Sequence, residues 1–337
     1  MSDLGQDLAN SIDDAAARLK DARREIGKRI MGQHDVVEQV MVTLLSAGHG
    51  LLVGVPGLAK TRLVNAIGTV MGLNTNRVQF TPDLMPADIL GSEVLDQSPD
   101  GARSFKFLQG PIFAQLLMAD EINRASPRTQ SALLQAMQEY QVTIAGKTYD
   151  LPQPFHVLAT QNPIEQEGTY PLPEAQLDRF LLRIDVDFPD RDTEKEILLA
   201  TTGTMDAAAT SVFSPDELIA LQQIVRAMPV GDAVIDAILT LIRAARPGTE
   251  DADSTITQNV TWGPGPRAAQ AMMLATRARA LLQGRLSPSI NDVLSLAVPV
   301  LTHRMALSFT AKAEGVVLND LIADLSRRTL TPDAAAA

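Results

Sequence analysis

Cysteine is absent from the 337-residue sequence, which excludes disulfides and any metal site built on thiolates. Histidine is scarce: there are four, widely spaced, and none forms a ligand pair at helical spacing, so a transition-metal site is not expected. Positive charge is also in short supply, with 29 Lys and Arg against 40 Asp and Glu and a net charge of -11. A general nucleic-acid surface needs clustered cations, so the composition argues against one. Long apolar runs are missing as well. Val40 to Ala59 has no Asp, Glu, Lys or Arg, but Gly48, Gly50, Gly54, Pro56 and Gly57 would break a helix in lipid. The acidic start, MSDLGQDLANSIDD, has no apolar segment and does not read as a secretory signal. A cytoplasmic protein without membrane insertion is expected.

What is present is enough apolar material, 45% of residues, for two cores. Leu8 to Ile30 has a helical, highly charged pattern that reads as an exposed helix. Asp35 to about Ser46 reads as a helix with a wide apolar face. Strands are expected at His49–Val53, Arg77–Phe80, Leu116–Ala119, Phe155–Thr160 and Leu181–Asp187, mostly separated by helices. That alternation predicts a three-layer α/β fold around a mostly parallel sheet. Two stretches interrupt it as hairpins. One is Val94–Leu95 and Ser104–Leu108 around a polar tip at Gln97 to Gly101; the other is Gln141–Ile144 and Thr148–Leu151 around Ala145 to Lys147. After Pro189 strands are expected to stop. Helices follow near Arg191–Thr201, Pro215–Met228, Ala233–Ala245, Arg267–Leu282, Ser289–Leu301 and Val316–Arg327. The organisation expected is an N-terminal helix (1–30), an α/β domain with two hairpin insertions (31–189), a small all-helical domain (190–330) and a disordered tail (331–337).

Leu51-Leu52-Val53 leads into Gly54-Val55-Pro56-Gly57-Leu58-Ala59-Lys60-Thr61-Arg62 and then a helix. A buried strand delivering such a loop to a helix N-terminus wraps an anion in backbone N–H groups at the positive end of the helix dipole. Lys60 would reach the β- and γ-phosphates of ATP, and the Thr61 hydroxyl would bind Mg2+. Ala59 stands where glycine is usual. A left-handed Ala costs about 1–2 kcal/mol, so a negative φ is expected there, as for a residue already entering the helix. Downstream, Phe113-Ala114-Gln115-Leu116-Leu117-Met118-Ala119 ends in Asp120-Glu121. Acids at the carboxyl end of an apolar strand stand where open α/β sheets bind ligands. Asp120 would hold Mg2+, and Glu121, on the other side of the strand, would polarise the attacking water.

With these motifs in place the chain resembles a MoxR-type AAA+ ATPase. The resemblance rests on Gly54 to Thr61, on Gly110-Pro111-Ile112-Phe113 through Ala119-Asp120-Glu121-Ile122-Asn123-Arg124-Ala125, and on Thr129 to Glu139. It continues through Ala159-Thr160-Gln161-Asn162-Pro163 and Glu165 to Phe180. It implies an AAA+ P-loop NTPase domain followed by a small helical lid. Asn162 matches the sensor residue that positions water, Arg179 the arginine finger given to a neighbouring subunit, and Arg267 the second sensor on the lid. Ile30-Met31-Gly32-Gln33 resembles the segment beside adenine, and Ala59 is itself characteristic of the group. The resemblance also implies a ring of subunits, hexameric, a partner with a von Willebrand factor A domain, and a protein client whose metal centre or assembly is matured. The hairpins would then face the pore through Phe105, Phe107, Lys147 and Tyr149. A magnesium-chelatase-like motor, a nucleic-acid-remodelling ring and a nucleotide-gated scaffold are the alternatives.

Overall fold

The computed structural model describes residues 2–97, 103–164, 168–202 and 208–330. The chain begins with α1 (Ser2–Gly27), α2 (His34–Leu45), β1 (Gly50–Val53), α3 (Lys60–Val70), β2 (Thr75–Gln79), α4 (Pro86–Leu90) and the hairpin β3 (Gly91–Gln97) and β4 (Arg103–Gln109). It continues with β5 (Leu116–Asp120), α5 (Pro127–Glu139), the hairpin β6 (Gln141–Ile144) and β7 (Lys147–Asp150), β8 (His156–Gln161), α6 (Glu174–Leu177), β9 (Leu182–Asp185) and α7 (Arg191–Thr202). The last third comprises α8 (Pro215–Ala227), α9 (Asp232–Ala244), α10 (Ser254–Asn259), β10 (Val260–Trp262), α11 (Pro266–Leu282), α12 (Ile290–Leu301), β11 (Ala306–Leu307), α13 (Phe309–Ala313) and α14 (Leu318–Leu330).

Five strands form the central sheet in the order β2-β5-β8-β1-β9, every neighbouring pair parallel. Successive side chains of a strand enter opposite cores, as the two-residue period requires. Leu51 and Val53 join one apolar cluster and Leu52 the other; Leu117 and Ala119 are likewise separated from Leu116 and Met118. The cluster holding Leu52 does not stop at the sheet. It runs through α2 and α3 into α8, α9, α11 and α12, so one core joins the α/β and helical parts. No helix among the described residues is long and apolar enough to cross a membrane.

Two expectations are corrected here. The first helix is not an exposed one: Ile12, Ala15, Leu19, Ala22 and Ile26 are all buried, at alternating spacings of three and four that make a continuous apolar row. Its many charged residues mask that row in composition, and some serve it: the Arg18 guanidinium lies 4.5 Å over the Phe213 ring and bonds Glu217 at 2.7 Å. Nor do strands end at Pro189, because β10 and β11 pair antiparallel, Val260 opposite Leu307, within the helical part. Segments of three and two residues are too short to show alternation. The two expected hairpins are found. Residues 98–102 of the first tip, and the tail at 331–337, lie outside the described residues. Ala145 and Gly146 both take positive φ, 48° and 81°, the turn that matches strand twist. The Phe107 and Tyr149 rings stack at 4.2 Å, and Lys147 pairs with Glu93 at 3.5 Å, so the hairpins lean on each other.

Histidines far apart in sequence meet where the helical part joins the sheet. His49 Nδ1 accepts from the Val157 N–H at 3.0 Å, so its Nε2–H donates to Met137 O at 3.0 Å. His156 Nδ1–H donates to Gly48 O at 2.8 Å, leaving Nε2 to accept from Gln222 of α8 at 3.2 Å. Both rings are therefore neutral, and burial pushes the pKa of His49 down to about 3 and that of His156 to about 4. A folded pKa below the unfolded value gives stability that is complete above about pH 6.5 and is lost as pH falls toward the folded value. Each ring should cost about 2 kcal/mol by pH 5. Thermal melts should show the midpoint dropping between pH 7 and 5, and His156→Gln should flatten that slope. A pH-independent midpoint would refute this linkage.

Candidate functional site

β1 delivers Gly54–Ala59 to the N-terminus of α3. A Cβ at Gly54 would lie 2.5 Å from Val186 O, so only glycine lets the loop leave the strand here. Gly57 has φ +89°, and Ala59, against expectation, is also left-handed at φ 56° and ψ 20°. The expectation weighed the strain on a Cβ against nothing. Left-handed residues interleaved with others turn successive N–H groups into one concavity, and that local demand wins. Ala59→Gly should therefore relieve about 1–2 kcal/mol of strain, against about 0.5–1 kcal/mol of added chain entropy. A small rise in melting temperature is expected, with Ala59→Val lower than both; the reverse order would contradict the assignment of strain. Gly32 lies against α7, where a Cβ would meet the Thr193 methyl at 2.1 Å, and Gln33 Nε2 donates to Leu58 O at 3.3 Å. The segment at 30–33 thus flanks the loop.

The Lys60 ammonium donates to Gly54 O and to Val55 O. Burial lowers its pKa, and the nearby Asp120 and Glu121 carboxylates oppose that shift. Asp120 closes β5. Its Oδ1 accepts from the buried Thr160 hydroxyl at 2.5 Å, and its Oδ2 accepts from Arg77 Nε at 3.1 Å and Nη2 at 2.5 Å. Glu121 has already left the strand, with φ 55°, so its direction is set by a turn and not by the strand alternation expected for it. Its N–H donates to Thr160 Oγ1 at 2.9 Å, and its Oε2 accepts from Gln79 Nε2 at 2.7 Å and Arg124 Nη1 at 3.1 Å. Asn162 follows β8 directly, and its Oδ1 accepts from the Ile164 N–H at 3.2 Å. Pro56, Gly57, Leu58, Ala59, Lys60, Thr61 and Arg62 share one concavity with Arg77, Asp120, Glu121, Thr160 and Asn162 at the carboxyl edge of the sheet.

Arg77, Gln79 and Thr160 were not anticipated. The first two alternate along β2, whose Gln79 stands opposite Asp120 in the parallel register. Polar residues at every second position of a strand were the available signal.

Arg179 and Arg267 are not in that concavity. They line a second one with Gln138, Arg226, Gly48, His49 and Leu181, where the chain enters β1 and β9 at the opposite edge of the sheet. Asp178, a natural ion-pair partner for Arg179, instead accepts from Arg304 at 2.7 Å. Burial and the neighbouring Arg267 lower the pKa of Arg179, while Glu139 opposes them.

Comparison with known proteins agrees with this architecture. Residues 49–182 match the ATPase family associated with various cellular activities (AAA), and residues 253–325 match the AAA lid domain. Chaperone MoxR1 of Mycobacterium tuberculosis is 42% identical over 292 residues, covering 87% of this chain and 76% of its own length. Protein MoxR of Paracoccus denitrificans is 30% identical over 317 residues, covering 89% and 92%. The chain is a MoxR-family AAA+ ATPase. A solved structure from Cytophaga hutchinsonii, of a protein assigned as an ATPase, superposes with a TM-score of 0.87 at 34% identity, over 96% of both chains. As in that family, this MoxR-type ATPase joins a parallel-sheet nucleotide-binding domain to a lid, and the lid here includes the β10–β11 ribbon. It binds nucleotide and hydrolyses ATP.

Proposed function

We propose that this ATPase works in the cytoplasm as a ring, hexameric, that remodels or matures a protein client together with a partner carrying a von Willebrand factor A domain. One observation carries the ring. Lys60, Asp120 and Glu121 share a concavity at one edge of the sheet, while Arg179 and Arg267 share another at the opposite edge. Cations placed there serve a nucleotide bound by a neighbour. In the reading favoured here, Lys60 holds the β- and γ-phosphates and Asn162 orients a water. Glu121 polarises that water as its oxygen attacks the γ-phosphorus, and the bond to the ADP oxygen breaks. Arg179 and Arg267 of the adjacent subunit neutralise the charge that gathers on the departing oxygens.

The donor set fits Mg2+, an ion that takes few protein oxygens and keeps its remaining sites for water and phosphate. The Thr61 hydroxyl and the Asp120 carboxylate, which line the same concavity, would supply those oxygens. When bound, Mg2+ would screen the phosphate charge. The client reading draws on the chaperone name of the Mycobacterium tuberculosis relative, and on the hairpins, which Phe107, Tyr149 and Lys147 tie together while Phe105 stays exposed. Turnover per subunit should climb with protein concentration as the ring assembles. A specific activity that stays constant down to dilutions where only monomer exists would overturn the assembly reading.

A further inference from the structure

Arg304 is 2% exposed, in the short 3-10 turn Thr302–Arg304 that follows α12. Burying a guanidinium is costly unless its donors are met. Here five bonds use its five N–H groups. Nε donates to Asp178 Oδ1 at 2.7 Å, Nη1 to Val300 O at 2.6 Å and Leu181 O at 3.1 Å, and Nη2 to Phe180 O at 2.7 Å and Asp178 O at 3.3 Å. The adjacent His303 Nε2 meets the same Phe180 O at 3.0 Å. Burial and the neighbouring Arg304 charge hold that ring neutral. Nε2 therefore carries the proton and donates it.

Apart from Val300 O, four residues back in the same segment, the acceptors all lie on residues 178, 180 and 181. The residue they bracket is Arg179, whose own guanidinium has no hydrogen bond or ion pair among the described residues and faces the second concavity beside Arg267. We propose that Arg304, backed by His303, is a positioning residue that fixes the chain on both sides of Arg179 and so aims that side chain at the neighbouring subunit's triphosphate. This rests on the reading of Arg179 given above. Arg304 follows α12, which packs on α11, the helix that carries Arg267 in its first turn; the same clamp therefore bears on the separation of the two cations. A lysine offers three donors without the planar fork, so the role is specific to arginine.

Arg304→Lys and Asp178→Asn test the idea. Each should lower kcat by about 10–100-fold, the usual cost of a misplaced catalytic group, and leave KM and nucleotide affinity unchanged because the phosphate loop lies at the other edge. Each is then mixed with Glu121→Gln subunits, with co-purification of differently tagged subunits establishing mixed rings. Turnover should recover, since Glu121→Gln subunits bring a correctly aimed Arg179 to the intact site of the variant. Arg179→Ala mixed with Glu121→Gln is run in parallel. Recovery in that pair alone would overturn the Arg304 proposal and leave the role of Arg179 standing; recovery in neither would remove the reading beneath both. Should Arg304→Lys melt below the assay temperature, Asp178→Asn carries the same test. A raised KM in place of a lowered kcat would also overturn the proposal.

Discussion

Glu121→Gln should abolish turnover, by about 10²–10⁴-fold, while nucleotide binding and assembly persist. The amide keeps the size of the side chain and one acceptor oxygen. Gln79, Arg124 and the Thr160 contact to the backbone can therefore hold it in place. What it loses is the negative charge that draws a proton from water. The phosphate loop is untouched, so ATP stays bound and the ring is held in its loaded state. A pull-down with this variant should retain the client and the partner that the wild type releases. Single-turnover hydrolysis at the wild-type rate would show that Glu121 is not the group acting on water.

Arg179→Ala should bind ATP normally and hydrolyse it slowly, by about 10³–10⁵-fold if it acts as arginine fingers do elsewhere. Lys60→Ala should fail for a different reason, through loss of phosphate contact in its own loop. The two faults lie at opposite edges of the fold. Mixing the variants therefore creates interfaces in which an intact loop from the Arg179→Ala chain meets an intact Arg179 from the Lys60→Ala chain. Partial recovery of ATPase activity is the expected result. Verified mixed rings that stay silent would exclude action across the interface.

The parts of the site that were legible in the sequence are those whose chemistry constrains residue type within a short window. Gly54 to Thr61 after an apolar strand, and Asp120-Glu121 at the end of another, announce a phosphate loop and its acids whatever the rest of the chain does. Helices were legible for a similar reason: Pro215–Met228 was expected and Pro215–Ala227 is found. Features set by non-local geometry were not. The polar alternation of Arg77 and Gln79 marks a face of β2, but that this face stands beside Asp120 depends on the pairing of β2 with β5, which the local pattern does not reveal. Arg304 reads in sequence as an ordinary cation after an apolar helix. Its burial depends on a loop more than a hundred residues earlier. Ala59 shows the limit of a local energy argument, since its strain is real and the loop geometry overrides it.

The apolar row of α1 has a consequence for synthesis. Ile12 to Ile26 leave the ribosome well before their covering is complete: Glu217, bonded to Arg18, is 199 residues downstream of it, and α11, which also packs on α1, comes later still. At about 5–20 residues per second, α2 and α3 reach the row within seconds, whereas α8 and α11 reach it only after some tens of seconds. Over that interval a nascent chain carries a half-covered greasy stripe, and its yield in cells depends on what shelters that stripe.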